Sequence, residues 1–401
     1  MKILVVTSTF PRWIDDTGPG FVYWLCLKLK EKGHEITVIA PHHGNSRMSE
    51  NMQGLRIRRF RYFFESWQLL AYSGGILNNI KRNPALAILV PFFLVSQALA
   101  IHREVREQNF DLIHAHWIIP QGFLCALLNQ YKYGKTVPVL CTSHGSDVNA
   151  LNNFMLKKLK QWTIMACDHL TIVSNDMKNK CMALGIPEQK LSVISMGVDL
   201  KNIFIPVKGT VRNNNRVLYV GRLVEKKGIS TLISAISLTH KIHPDIELVI
   251  VGDGPQRESL VMQVRNLGLE DNITFLGGIP NEELPVIYSS AAVTVMPSLQ
   301  EGLGMVIIEA LGCGSAVIAS ALTAIKDIIE HDMTGLLFEP NNSRELADCI
   351  QLLLSDREHR DKIAEMGRKF VLDRFDWEII IRKYLASIHS LTSTGNHQKI
   401  Q

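Results

Sequence analysis

Residues 301–314 read EGLGMVIIEALGCG. Two glutamates eight positions apart flank a Gly-Leu-Gly turn, and the second, Glu309, stands inside an apolar run. A carboxylate in that setting is costly unless something hydrogen-bonds it. A glycine turn that opens a helix offers unpaired N–H groups and the positive end of a helix dipole, which suits phosphates. Gly302 and Gly304, either side of Leu303, let the backbone approach such a ligand closely. Side chains on a helix lean toward its N-terminus, so Glu309, one turn in, leans back to the same place. Next to phosphates it would repel them. One step further along it can accept two hydroxyls of a ribose. Glu301, in the turn, reaches past the phosphates on the opposite side. A structural reading stays open, in which Glu309 caps a loop or pairs with an arginine.

Four further stretches could share that chemistry. YVGRLVEKKG, residues 219–228, sets Arg222 and Lys227 just beyond a strand end, where an arginine fork and a lysine point charge can neutralise a diphosphate. A solvated charge run is the alternative. TSHGSDV, 142–148, places His144 and Asp147 directly after a strand, with Gly145 allowing close approach. His144 is there either to hydrogen-bond a sugar or as a structural histidine. Gly18 and Gly20 in WIDDTGPGF form a cradle for phosphate or sugar, or simply a turn. VGDGP and FLGGIP, with Gly252 and Ile279, are placed to wall a nucleobase, although tight βα turns explain them equally well. The two histidines of HAHW, 114–117, lack a cysteine or carboxylate at ligand spacing, and no Asp-x-Asp pair is present, so no metal site is expected.

The elements that must position these residues read as two βα series. KILVVTS, EITVIAP, FDLIHAH, VPVLCTSH and HLTIVSN are strands separated by helical or loop segments, and GPGFVYWLCLKLKEKGH is a helix stopped by Gly33. Residues 205–215, IPVKGTVRNNN, read as a linker. A second series follows: RVLYVG, IELVIVG, NITFLG, VTVMPS, SAVIAS and GLLFEP. The expected fold is α/β, two facing Rossmann-like doubly wound domains over 1–205 and 206–375. An amphipathic C-terminal helix over about 376–391 is free to pack back on the first domain. Ligands of such sheets bind at the carboxyl ends of the strands, so a cleft between domains is the expected site.

Composition sets outer bounds. The chain has 401 residues, 46% of them hydrophobic and 20% charged, which describes an ordinary globular protein. Its seven cysteines include no C-x-x-C pair and read as buried thiols in a reducing compartment. MKILVVTSTF is too short an apolar run, closed by Pro11, for a signal peptide. Residues 1–205 hold 23 Lys and Arg against 14 Asp and Glu, roughly +9, and the remainder is roughly −4. A basic half attracts something anionic, a phosphorylated acceptor or a membrane surface. No nucleic-acid motif is present, and nucleic acid is not an expected partner. PALAILVPFFLVSQALAI, 84–101, lies behind RIRRFRYFF. It is too short and too interrupted for a favoured membrane span, which leaves a core or lip helix, or one that touches a membrane surface.

Taken together, these motifs resemble the family-4 glycosyltransferases, retaining enzymes of GT-B architecture. The resemblance runs over nearly the whole chain. It takes in the Gly18/Gly20 loop, HGSD, MGVD at 196–199, GRLVEKKG, VGDGP, MPSLQEGLGMVIIEALGCGSAVIAS and the terminal FDWE. Leu303, where the family often has Phe, and Ser315 are small departures. The resemblance implies that Glu309 holds the donor ribose, Glu301 lies beside the donor sugar, and Arg222 and Lys227 stabilise the departing diphosphate. It implies that the backbone of 302–305 binds phosphate and sugar, and that His144 contacts a sugar hydroxyl. A UDP-sugar donor, a glycan or lipid-linked acceptor, no metal or other cofactor, and a cytoplasmic location at the inner face of the plasma membrane are the expectations. A sugar-nucleotide epimerase, or a non-catalytic nucleotide-sugar-binding subunit, are the alternatives.

Overall fold

Among the described residues, fourteen strands fall into two sheets. The structure, a computed structural model, describes residues 1–14, 16, 20–72, 74–134, 137–150 and 153–397. It divides into two compact units, Met1–Ser195 with Ile381–Gln401, and Met196–Ile380.

The first unit holds strands β1 (Lys2–Val6), β2 (Glu35–Pro41), β3 (Ser49–Met52), β4 (Leu55–Phe60), β5 (Leu112–His116), β6 (Val139–Ser143), β7 (His169–Ile172) and β8 (Leu191–Val193). Their order is β3-β4-β2-β1-β5-β6-β7-β8, parallel throughout except for the β3–β4 hairpin. Helix Phe21–Glu31 buries Val22, Leu25, Cys26 and Leu29, a helical stripe, and Gly33 ends it at φ +86°. Ile381 onward returns to this unit, where Tyr384 is buried against His114.

The second unit is built from β9 (Asn213–Val220), β10 (Glu247–Val251), β11 (Ile273–Gly277), β12 (Ala291–Met296), β13 (Ala316–Ser320) and β14 (Leu336–Phe338). The order β11-β10-β9-β12-β13-β14 is the doubly wound arrangement, with its switch point between β9 and β12. β12 is buried at every position, as expected for a central parallel strand covered on both faces.

Two expectations need adjusting, and one strand was not foreseen. The boundary falls at 195/196 rather than 205/206, because residues after Met196 pack within the second unit. Gly197 lies against the Trp377 ring, and Leu200 and Phe204 lie against Gly312. The supposed linker ends early, since β9 already starts at Asn213. RIRRFRYFF is partly a strand: in β4, Leu55 and Ile57 point inward between exposed Arg56 and half-buried Arg58. Arg59 is buried, paired to Glu50 at 2.7 Å and donating to the Pro11 carbonyl at 2.8 Å. All seven cysteines are free, six of them buried.

Candidate active site

The loops after β9 and β12, neighbours at the switch point, are docked together. Leu299 N donates to the Lys226 carbonyl at 2.8 Å. Gly228 sits at φ +64°, and a Cβ there would meet the Pro297 carbonyl oxygen at 2.0 Å. Only glycine fits such a contact and such a backbone. This docking brings Lys227 onto Glu301 in a close ion pair. The other Glu301 oxygen accepts from Gly302 N at 3.3 Å. Two residues assigned to separate tasks, the diphosphate and the sugar, therefore hold each other here. The pairing is local chemistry: both side chains are mostly shielded from water, and neither charge is left unmatched.

Arg222 differs. It is exposed and makes no side-chain hydrogen bond or ion pair among the described residues. Its carbonyl accepts from Tyr219 Oη at 3.1 Å, which ties the loop to β9 and leaves the guanidinium free.

Gly304, at φ +90°, starts helix Met305–Gly312 with no side-chain cap. Its absent Cβ would meet Ile325 Cδ1 at 2.9 Å. The helix N-terminus is thus open, as an anion site requires. Leu303 is buried, so it can offer a ligand its backbone only. Glu309 is half-buried and accepts a hydrogen bond from Tyr288 Oη at 2.9 Å. Burial pushes its carboxyl up to about 7, with the Tyr288 bond opposing that shift. Tyr288 is fully buried, and its phenol is pushed up for the same reason and by the nearby carboxylate. The partner for the costly acid is, for one oxygen, a tyrosine from helix Leu284–Ser290.

Gly252 N donates to the Gly277 carbonyl at 2.7 Å, and Gly221 N to the Val251 carbonyl at 2.9 Å. The turns after β9, β10 and β11 are therefore laced side by side through backbone. Ile279 is half-buried just beyond β11. Arg222, Lys227, Glu301, Gly302, Leu303, Gly304, Glu309, Gly252 and Ile279 all lie in this one unit. A hollow of about 770 Å³ in the first unit, lined by Lys2, Lys30, Glu35 and Arg56, opens instead at the amino ends of strands. Parallel sheets of this kind bind at the other end.

His144 belongs to the first unit, after β6. Its ring lies parallel to that of His116, and His116 Nδ1 is 2.9 Å from His144 Nε2. Phe21 and Trp117 close around it. Burial, and then His114, push His144 down to about 3, so it is a neutral imidazole at ordinary pH. Its Nδ1 has no hydrogen-bond partner among the described residues. Asp147, two residues past Gly145, is structural: it accepts from Ile118 N at 2.6 Å and Ser143 Oγ at 2.5 Å. Gly20 precedes helix Phe21–Glu31 with an ordinary φ of −87° and no side-chain cap, while Gly18 lies outside the described residues. No cluster of three His, Cys, Asp or Glu able to hold a metal occurs among the described residues. His116, Tyr288 and Gly228 are the site residues that the sequence left unassigned.

A chain of two doubly wound units built on parallel sheets, the second with an uncapped helix N-terminus at its switch point, has the make-up of a GT-B glycosyltransferase. The family models described as Glycosyltransferase Family 4 and Glycosyl transferases group 1 match residues 21–202 and 201–370. The chain belongs to that glycosyltransferase family. Among curated relatives, N-acetyl-alpha-D-glucosaminyl L-malate synthase of Bacillus anthracis is 24% identical over 100% of both chains. The GDP-mannose-dependent alpha-(1-6)-phosphatidylinositol monomannoside mannosyltransferase of Mycobacterium tuberculosis is 29% identical over 95% of this chain and 96% of its own. Two solved structures share the fold. Sucrose-phosphate synthase from Thermosynechococcus elongatus has TM-score 0.80 and 24% identity, covering 98% and 99% of the two chains. Anabaena Alr3699/HepE, in complex with UDP and glucose, has TM-score 0.76 and 20% identity, covering 98% and 100%.

Proposed function

We propose that the chain transfers a sugar from a UDP-sugar to a glycan or lipid-linked acceptor in surface polysaccharide synthesis, with retention of configuration and without a metal. The observation that carries the donor half is the open N-terminus of helix Met305–Gly312 beside the unpartnered Arg222, with Glu309 one turn in. A diphosphate supplies what those groups lack. Its oxygens accept from the first helix amides and from the guanidinium, and its ribose hydroxyls donate to Glu309. Lys227 is shared between Glu301 and the diphosphate.

The bond from the anomeric carbon to the diphosphate oxygen breaks, and its electron pair stays on that oxygen. Arg222, Lys227 and the helix dipole stabilise the charge that develops there. The acceptor hydroxyl oxygen attacks the same face of the sugar, and its proton passes to the departing diphosphate oxygen. Glu301 stands where positive charge grows on the sugar. His144, neutral, serves as a hydrogen-bonding partner for a sugar hydroxyl. UDP is favoured because the similar Anabaena protein is described with UDP and glucose. The mycobacterial relative is named for GDP-mannose, which makes the base a direct object of test.

A thermal-shift screen against UDP, GDP, ADP and their sugars identifies the base, with UDP ligands expected to raise the melting temperature most. Radiolabelled donor is then incubated with a membrane extract and EDTA. Transfer is the expected result. No transfer from any donor refutes the enzymatic reading, and an isomerised sugar with donor alone supports the epimerase instead.

A further inference from the structure

Helix Val90–Glu107, with the turn Pro84–Leu89 before it, carries apolar residues on two faces and buries only one of them. Its inward stripe is Phe93, Gln97, Ile101 and Glu104. Gln97 donates to the Thr7 carbonyl at 3.4 Å, and Arg58 meets Glu104 at 3.4 Å. At 3.6 residues per turn the opposite face presents Ile88, Phe92, Val95 and Leu99. Ile88 is 67% exposed, Val95 60% and Leu99 62%. Phe93 and Ile101, with Gln97 and Glu104 between and beyond them, thus hold the helix to the unit, and a second apolar row faces water.

The row does not stand alone. Phe63, from the segment after β4, packs its ring 5.2 Å from Phe92, and Phe64 and Trp67 pack on Phe63. Phe64 is 76% exposed, and Trp67 and Leu69 are exposed beside it. A contiguous aromatic and aliphatic surface of this size is a contact surface. Cations border it. Lys81 and Arg82 end the preceding helix, exposed and without an ion pair among the described residues. Arg61 stands on the other side, 4.0 Å from Glu65.

We propose that this face, Ile88, Phe92, Val95 and Leu99 with Phe64 and Trp67, docks on the surface of an anionic phospholipid bilayer. The length and composition of Pro84–Glu107 would also allow a span. The anchoring of Gln97 and Glu104 to the sheet makes the helix lie flat on the unit instead. An apolar stripe bordered by basic residues is the make-up of an interfacial helix, with Trp67 suited to the headgroup level. A second copy of the chain would match the apolar row but offers no anionic surface to Lys81 and Arg82, which a bilayer of anionic lipid does. This inference does not depend on which donor the second unit holds.

The test is co-sedimentation of the full chain with vesicles of phosphatidylglycerol and phosphatidylethanolamine, against vesicles of phosphatidylcholine, at low and high salt. Binding to the anionic vesicles at low salt is expected, weakened by salt. The double variant Phe92→Glu/Leu99→Glu is expected to bind at least about tenfold more weakly. Lys81→Glu/Arg82→Glu is expected to lose severalfold on anionic vesicles only. Unchanged circular dichroism and melting temperature in both variants show that they fold. Absence of vesicle binding by the wild type overturns the proposal. So does binding that neither variant weakens, or a solution dimer abolished by Phe92→Glu/Leu99→Glu in place of vesicle binding.

Discussion

Donor binding should be linked to pH through Glu309. Its carboxyl is pushed up to about 7, and only the ionised form can accept from two ribose hydroxyls at once. Binding of the intact nucleotide sugar is therefore expected to release protons near neutrality. At about pH 6, roughly one site in ten carries the carboxylate, so the Kd there lies about tenfold above its limit at about pH 8. That is a difference of about 1.4 kcal/mol. The intact donor is the right probe, because its diphosphate has no group ionising in this range, whereas free UDP does. Calorimetric titration in two buffers of different ionisation heat reads both the Kd and the proton count. Glu309→Gln keeps the side-chain size and still accepts from Tyr288. It should flatten the pH profile and weaken binding at about pH 8 by about 2 kcal/mol, the scale of a hydrogen bond to a charged group. Stability should move the other way. The folded carboxyl holds its proton up to about 7, against 4.5 for the ordinary group, so the folded state is favoured in acid and loses that advantage as pH rises through this window. At about pH 8 the Gln variant should be more stable than wild type by at most about 3 kcal/mol, less where water reaches the side chain. At about pH 4.5 the difference should vanish. A pH-independent Kd with no proton release would refute the ribose assignment.

Three other outcomes follow from the same geometry. Arg222→Ala should lower kcat by about 10²–10³ with a smaller change in KM, because the lost charge acts on a leaving group; steady-state kinetics decides, and a normal kcat contradicts the charge argument. Gly228→Ala should cost more than about 1 kcal/mol in urea denaturation and abolish donor binding, because its Cβ would strike the Pro297 carbonyl and part the two loops. The imidazole of His144 should show no titration between about pH 5 and 8 by NMR, and a mid-range transition would contradict its burial beside His116 and His114.

The strand–turn–helix around residue 303 was legible because each of its parts is local. β12 is apolar except for Thr294, Gly304 marks a left-handed turn, and the helix follows at once. What was not legible depends on sheet register. Lys227 and Glu301 meet only because β9 and β12 are neighbours, although 74 residues separate them. His116 and His144 meet because β5 pairs with β6, with His116 opposite Thr142. Tyr288 reaches Glu309 from a helix that carries no motif. β4 was hidden by its arginines: Leu55 and Ile57 alternate with Arg56 and Arg58, and the next inward position holds Arg59, buried and paired with Glu50, where an apolar residue would be expected. Average apolarity over 84–101 left a core or lip helix and a membrane-surface helix both open, because the buried face holds Gln97 and Glu104 beside Phe93 and Ile101 while a second apolar row is exposed. Hydropathy summed along a segment says nothing of which side faces in.

Under the proposed function, the Lys227–Glu301 pair also bears on how long spent nucleotide stays. With one cation already matched, the resting pocket offers a leaving nucleotide diphosphate little more than Arg222 and a helix end. Glu301 can reclaim Lys227 as the sugar departs. If the proposed function holds, a site wired this way sheds its product instead of storing it.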